Sequence, residues 1–159
     1  MAKIIDLVGY LTGFLLLIMM FNVAYDVLMR YAFHNSSIAF QELEWHLFAA
    51  IILLGMGYTL KEDAHVRVDF LYDRWRPKTK AIINILGTLF FLIPLALLIA
   101  YGSYEFVLDA YESHEISGDP GGLTHRWIIK GMIPLSFLFL IFCAIHTLLH
   151  QINLLRRVK

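Results

Sequence analysis

Long apolar runs restrict this chain to very few folds. About 20 mainly apolar residues are needed for a helix to cross the hydrocarbon of a bilayer. Runs of roughly that length are centred on residues 4–29, 38–60, 81–101 and 127–149. Overall 59% of the residues are hydrophobic and only 16% are charged, whereas a soluble domain carries about a quarter charged. The expected fold is an all-α integral membrane protein, with four transmembrane helices in one domain over residues 1–159. Lys3 followed by an apolar stretch imitates a signal peptide, but Asn22, Asp26 and Arg30 follow in place of a small-x-small cleavage site. The stretch reads as a retained span.

Details within the runs sharpen this picture. Gly9 and Gly13 form a small-xxx-small pair, a pattern that permits close helix approach but also arises by chance in apolar helices. Asp26 and Arg30 are four apart and share a helix face. The second run begins with Gln41, Glu42, Glu44 and His46. Carboxylates at that depth must face protein or water rather than lipid. Gly55 and Gly57 thin the other end of this span. Pro94 is expected to bend the third span, which then continues beyond the membrane. There Tyr104, Leu108 and Tyr111 make one stripe, and Glu105, Asp109 and Glu112 another. Ser117-Gly-Asp-Pro-Gly-Gly122 is a turn signal before Trp127 opens the fourth span.

The longest polar interruption near the middle of the chain is 61–80. Within it Val68, Leu71, Tyr72 and Trp75 recur at i, i+3, i+4 and i+7. That spacing predicts a short amphipathic helix lying in the membrane surface. The alternation from His65 to Phe70 fits a short extended piece instead. With the N-terminus inside, ten of the thirteen Lys and Arg residues fall on the inner side, leaving Arg30, Arg126 and Lys130 outside. The positive-inside rule therefore places both termini and the 61–80 loop in the cytoplasm.

Chemistry-bearing residues are few. Asp26, Glu42 and Glu44 fall at a similar outer depth to Arg30, Arg126 and Lys130. They form an ion-pair set that pins the helices, a surface for a partner or part of an ion path. His65 lies near the inner depth of His146 and His150, so haem between His65 and one of the other two, in a redox enzyme's membrane anchor, is the alternative reading. Cys143 is the single cysteine, which excludes an intrachain disulfide and suggests no cysteine metal site. No Ser-His-Asp logic, His-Glu-x-x-His or phosphate-cradling loop is present, so the chain does not read as an enzyme. Four spans with no paired Gly and Pro break suit a scaffold better than a self-sufficient transporter or channel.

Arg30-Tyr-x-Phe33, Gln41-Glu-x-Glu44, Leu54-Gly-x-Gly-Tyr-x-Leu60-Lys and His65-Val-Arg-Val-Asp-Phe-Leu-Tyr72 resemble the small membrane subunit of tripartite ATP-independent periplasmic (TRAP) transporters. The resemblance covers essentially the whole chain. Its most specific part is His65, Val66, Arg67, Val68 and Asp69, placed just after the second span. Many relatives have Glu-Glu before that span, whereas Gln41, Glu42 and Glu44 occupy the region here. The stretch from Ser117 to Lys130 resembles the branch labelled mannitol/chloroaromatic-type. The resemblance implies a non-catalytic scaffold in a bacterial inner membrane, without a cofactor of its own. It implies a large elevator-type subunit that holds sodium and substrate, and a periplasmic binding protein that delivers an organic acid. The implied partners are those two proteins and membrane lipids, with no nucleic acid.

Overall fold

The computed structural model describes residues 1–64 and 74–157. Those residues form α1 (Ala2–Ala32), α2 (Ile38–Lys61), α3 (Pro77–Gly87), a π-helical segment (Thr88–Leu92), α4 (Ile93–Glu112) and α5 (Trp127–Arg157). No strand occurs among the described residues. From Pro77 to Glu112 the helix is continuous, so four helices are long and apolar enough to cross a membrane. A lipid solvent favours this outcome, because a helix pairs its backbone groups within its own segment. Val68, Leu71 and Tyr72 of the expected surface helix lie outside the described residues, as does the segment from His65 to Asp69. Trp75 sits in a bend and is half-exposed. Pro77 opens α3, a position where its missing N–H is not needed.

The helices stand side by side in a single layer. α1 packs on α2, α2 on α5, and α5 on α3 and α4; other helix pairs make only marginal contact. In space the spans therefore run first, second, fourth, third. Such a row shields little of itself: over an 18-residue apolar stretch of each span, 11% of the residues are buried in the first three and 22% in the last.

α1 shows how the buried face is chosen. Ile5, Thr12, Asn22 and Asp26 are its buried residues. Leu7, Phe14, Phe21 and Leu28, at seven-residue steps, are 68, 59, 75 and 56% exposed. Seven residues are nearly two helical turns, so these four large side chains line one outward face. The polar residues point at α2 and the bulky apolar ones point away, which inverts the rule for a helix in water and suits a hydrocarbon solvent. The side-chain amide of Asn22 donates to the Phe40 carbonyl at 2.9 Å, tying α1 to α2. Several buried or half-buried hydroxyls bond within their own helix instead. Thr12 donates to the Gly9 carbonyl at 2.7 Å, Ser103 to Ile99 at 2.7 Å and Ser136 to Met132 at 2.5 Å.

Small residues set the spacing between helices. Ala96, Ala100 and Ala110 are buried on α4, and Ser136, Cys143 and Ala144 on α5. Those helices approach through side chains with little bulk, the usual substitute in lipid for a hydrophobic driving force. A Cβ on Gly57 would lie 2.6 Å from the Phe139 ring and 2.9 Å from the Cys143 sulfur. A Cβ on Gly9 would lie 2.4 Å from the Tyr58 ring, whereas one on Gly13 meets nothing. The Gly9–Gly13 pair is thus not a joint; Gly9 alone receives an aromatic ring.

Pro94 acts through the π segment rather than by a bend alone. Proline has no N–H, and its ring crowds the carbonyl four residues back. Ahead of it the ladder widens by one residue: the Ile93 N–H donates to the Thr88 carbonyl, five residues back. Together α3, the π segment and α4 span 36 residues. At ~1.5 Å per residue that is about 54 Å, well beyond the ~30 Å hydrocarbon, so one end of this helix stands clear of the membrane.

Gly57→Ala should therefore lower stability by about 1–3 kcal/mol, the usual cost of overpacking, while Gly13→Ala should be neutral or slightly stabilising. Thermal unfolding of the two variants in the same detergent measures the contrast.

Candidate partner-facing site

Polar contacts gather at the two ends of the layer. At the end carrying the start of α1 and the close of α2, the Lys61 ammonium pairs with Asp6 and, at 3.1 Å, with Glu62. This contact clamps the two helices at one depth. The opposite end holds the six charged residues singled out in the sequence, and there they divide into separate arrangements.

Asp26 and Arg30 pair along α1, as their spacing predicts. The Asp26 side chain is 6% exposed and that of Arg30 42%, so the carboxylate is inside the α1–α2 joint while the guanidinium reaches outward. Glu42 has a different task. Its carboxylate accepts the Ser117 hydroxyl and, at 2.6 Å, the Leu123 backbone N–H. The loop between α4 and α5 is thereby latched onto the first turns of α2. The loop is built for this approach. Ser117 N–H donates to the Leu123 carbonyl at 3.1 Å, and Gly122 N–H to that of Asp119 at 3.0 Å. Gly121 adopts φ +85°, and a Cβ on Gly122 would lie 2.5 Å from Ser117 and 2.8 Å from the Glu42 carboxylate. The glycines seen as a turn signal thus also admit the carboxylate.

Lys130 and Arg126 turn to Glu115, which the sequence reading did not select. Lys130 pairs with one carboxylate oxygen, and the Arg126 Nε lies 3.8 Å from the other. The Lys130 ammonium also sits 3.9 Å from the centre of the Phe106 ring, a cation–π contact that joins α5 to α4. Tyr111 and Trp127 meet edge to face at 5.5 Å across the same joint. The signal for Glu115 was faint: an acid at the end of an acidic helix, with its cations beyond a turn.

Glu44 stands apart. Two residues along a helix turn the direction by about 200°, so Glu44 points away from the face that Glu42 uses. It is half-buried and has no hydrogen-bond or ion-pair partner among the described residues. Beside the latch, Gln41, Glu42, Trp45, His46, Asp119 and Arg126 enclose most of an open polar pocket of about 290 Å³. Trp45 is 70% exposed there, and an exposed Trp with Arg nearby is the composition of a binding hot spot.

At the other end His146 and His150 lie together on α5, beside Lys61 and Asp63. His65 is outside the described residues. No group of three or more metal-ligating side chains occurs among the described residues.

Comparison with known proteins places this arrangement. Residues 19–154 match the family model described as the DctQ component of tripartite ATP-independent periplasmic transporters. A TRAP transporter small permease protein of Haemophilus influenzae is 30% identical over 125 residues, which cover 78% of each chain. The ectoine TRAP transporter small permease protein TeaB of Halomonas elongata is 27% identical over 83% of this chain and 69% of its own. The sialic acid TRAP transporter permease protein SiaT of Haemophilus influenzae is 24% identical over 72% of this chain, which spans 18% of that longer protein. Haem ligation finds no support in these matches.

Glu42→Ala, and Ser117→Ala more weakly, should free the loop. Hydrogen exchange at the Leu123 amide should quicken by roughly tenfold in Glu42→Ala, while Glu44→Gln leaves it unchanged. Mass-spectrometric exchange over residues 113–126 reads the difference.

Proposed function

The chain belongs to the DctQ component family of tripartite ATP-independent periplasmic transporters, and on that premise we propose that it is the fixed scaffold of a sodium-coupled uptake system for organic acids. It is a transport component of a bacterial inner membrane and not an enzyme. In the proposed division of labour a large membrane subunit binds sodium and substrate and moves. A periplasmic binding protein delivers the substrate, and this subunit braces the first and helps receive the second.

The single-layer arrangement carries the reading. A transport path needs walls on all sides, and four helices in a row supply none. What the row offers is two broad apolar faces, suited to lie against a larger membrane protein on one side and lipid on the other. Ion pairs and the Glu42 latch hold its helix ends at fixed depths, as a brace requires. Sialic acid and ectoine, in the names of two relatives, support a small polar substrate held by a partner rather than by this chain. The inward placement of both termini rests on the distribution of Lys and Arg.

Within this reading Glu44 and the Trp45–Arg126 pocket are the contacts to a partner. A half-buried carboxylate at this depth must face water or protein, and in this reading the large subunit supplies the mate that the chain itself does not. Glu44→Lys should reduce co-purification with the large subunit and uptake in whole cells by roughly tenfold, with membrane insertion unchanged. Normal co-purification and uptake in that variant would remove Glu44 from the interface. Full uptake by cells that lack this chain would remove the scaffold role itself.

A further inference from the structure

We propose that the outer end of α4 is a docking face for a soluble protein with a basic surface, which on the reading given above is the periplasmic binding protein. The helix from Pro77 to Glu112 is longer than the hydrocarbon it crosses, and the distribution of Lys and Arg puts the end of α4 on the outer side. The Lys130 ammonium over the Phe106 ring marks the depth at which α5 turns polar. From Phe106 to Glu112, α4 runs on for about 10 Å at ~1.5 Å per residue. On this stretch Ala110 is buried. Tyr104, Leu108 and Tyr111 are exposed, as are Glu105, Asp109 and Glu112. Each set follows steps of four and three residues, one residue out of phase, so the two form adjoining stripes. α4 packs chiefly on α5 and closes the row, which leaves these stripes uncovered.

The charges on this face have no use inside the chain. On the outer side Arg30 pairs with Asp26, and both Lys130 and Arg126 turn to Glu115. Glu105, Asp109 and Glu112 have no ion-pair or side-chain hydrogen-bond partner among the described residues. Eight Asp and Glu stand against three Lys and Arg on that side, so the outer rim is negative. This sign selects the partner. Phosphate groups of lipid are anionic and are repelled by it. A permanent neighbour in the membrane gains little from charges that act at a distance, because it does not have to find its site repeatedly. A protein that arrives by diffusion gains encounter rate from them. The stripe of Tyr104, Leu108 and Tyr111 supplies the short-range half of such a contact. Tyrosine is enriched where proteins meet, and its ring face attracts Lys and Arg. The same negative rim disfavours free organic anions, so it suits a substrate that arrives inside a carrier.

The test uses the small and large subunits purified together in lipid nanodiscs, with a benzophenone side chain in place of Leu108. The purified binding protein of the same transporter is titrated in, and crosslink yield is read against its concentration. Choline chloride is raised from about 20 mM to about 0.5 M at fixed sodium, which shortens the screening length from about 20 Å to about 4 Å. Position 108 should label the binding protein, and a benzophenone in place of Leu17, exposed on α1, should not. The combined change Glu105→Gln, Asp109→Asn and Glu112→Gln should raise the half-saturating concentration by roughly tenfold at low salt and by less than about twofold at high salt. Retained co-purification with the large subunit confirms that this variant is folded. An unchanged half-saturating concentration at low salt, or labelling of lipid or the large subunit in place of the binding protein, overturns the proposal and leaves the scaffold reading standing. Failure of the unaltered chain to co-purify with the large subunit defeats the scaffold reading and the proposal with it.

Discussion

Everything in this protein follows from having apolar surroundings rather than water on both faces of a single layer of helices. In water the layer would collapse, because bulky side chains such as Phe14, Phe21 and Phe91 face outward. In lipid those side chains lose nothing by staying out, and no hydrophobic force drives one helix onto another. Cohesion must come from close packing and from polar groups that find better partners inside than in lipid. Both are visible. Ala96, Ala100, Gly57 and Cys143 bring backbones and sulfur close, and Asn22 and Asp26 are turned into the α1–α2 joint.

A layer held only by mid-membrane packing could still slide. The ends prevent that. Lys61 with Asp6 sets α1 against α2 at one end, and Glu115 with Lys130 sets the α4–α5 loop against α5 at the other. Glu42 then carries the same loop across to α2. The contacts lie near the polar interfaces, where long charged side chains can reach water and burying a charge is least costly. Depth is therefore fixed at the rims and separation in the middle.

Much of this was legible in the residues, and the limits are physical. Four spans follow from run length, and the Asp26–Arg30 pair from a spacing of four. The turn from Ser117 to Gly122 follows from its glycines and proline. The lateral order of the helices was not legible. A helix apolar on every side gives little periodic signal for which face is buried, and in α1 the buried face is the more polar one. Tertiary pairings escaped for a related reason. Glu115 and Asp6 were passed over because their cations come from elsewhere in the chain, so spacing along one helix says nothing about them. Grouping Glu42 with Glu44 by depth ignored the 200° or so between them, which sends one to the loop and the other to the opposite face.

That division explains why the second span begins so unusually for a membrane helix. An acidic start to a span is expensive, and one carboxylate would have served the latch. Glu42 repays its cost inside the chain, through Ser117 and Leu123. Glu44 does not, since no side chain of the described residues answers it. In the proposed role the chain must be rigid in itself and adhesive to something else. The first turns of α2 offer one carboxylate for the latch and leave another for a partner, from residues two apart, because a helix turns such neighbours to opposite sides.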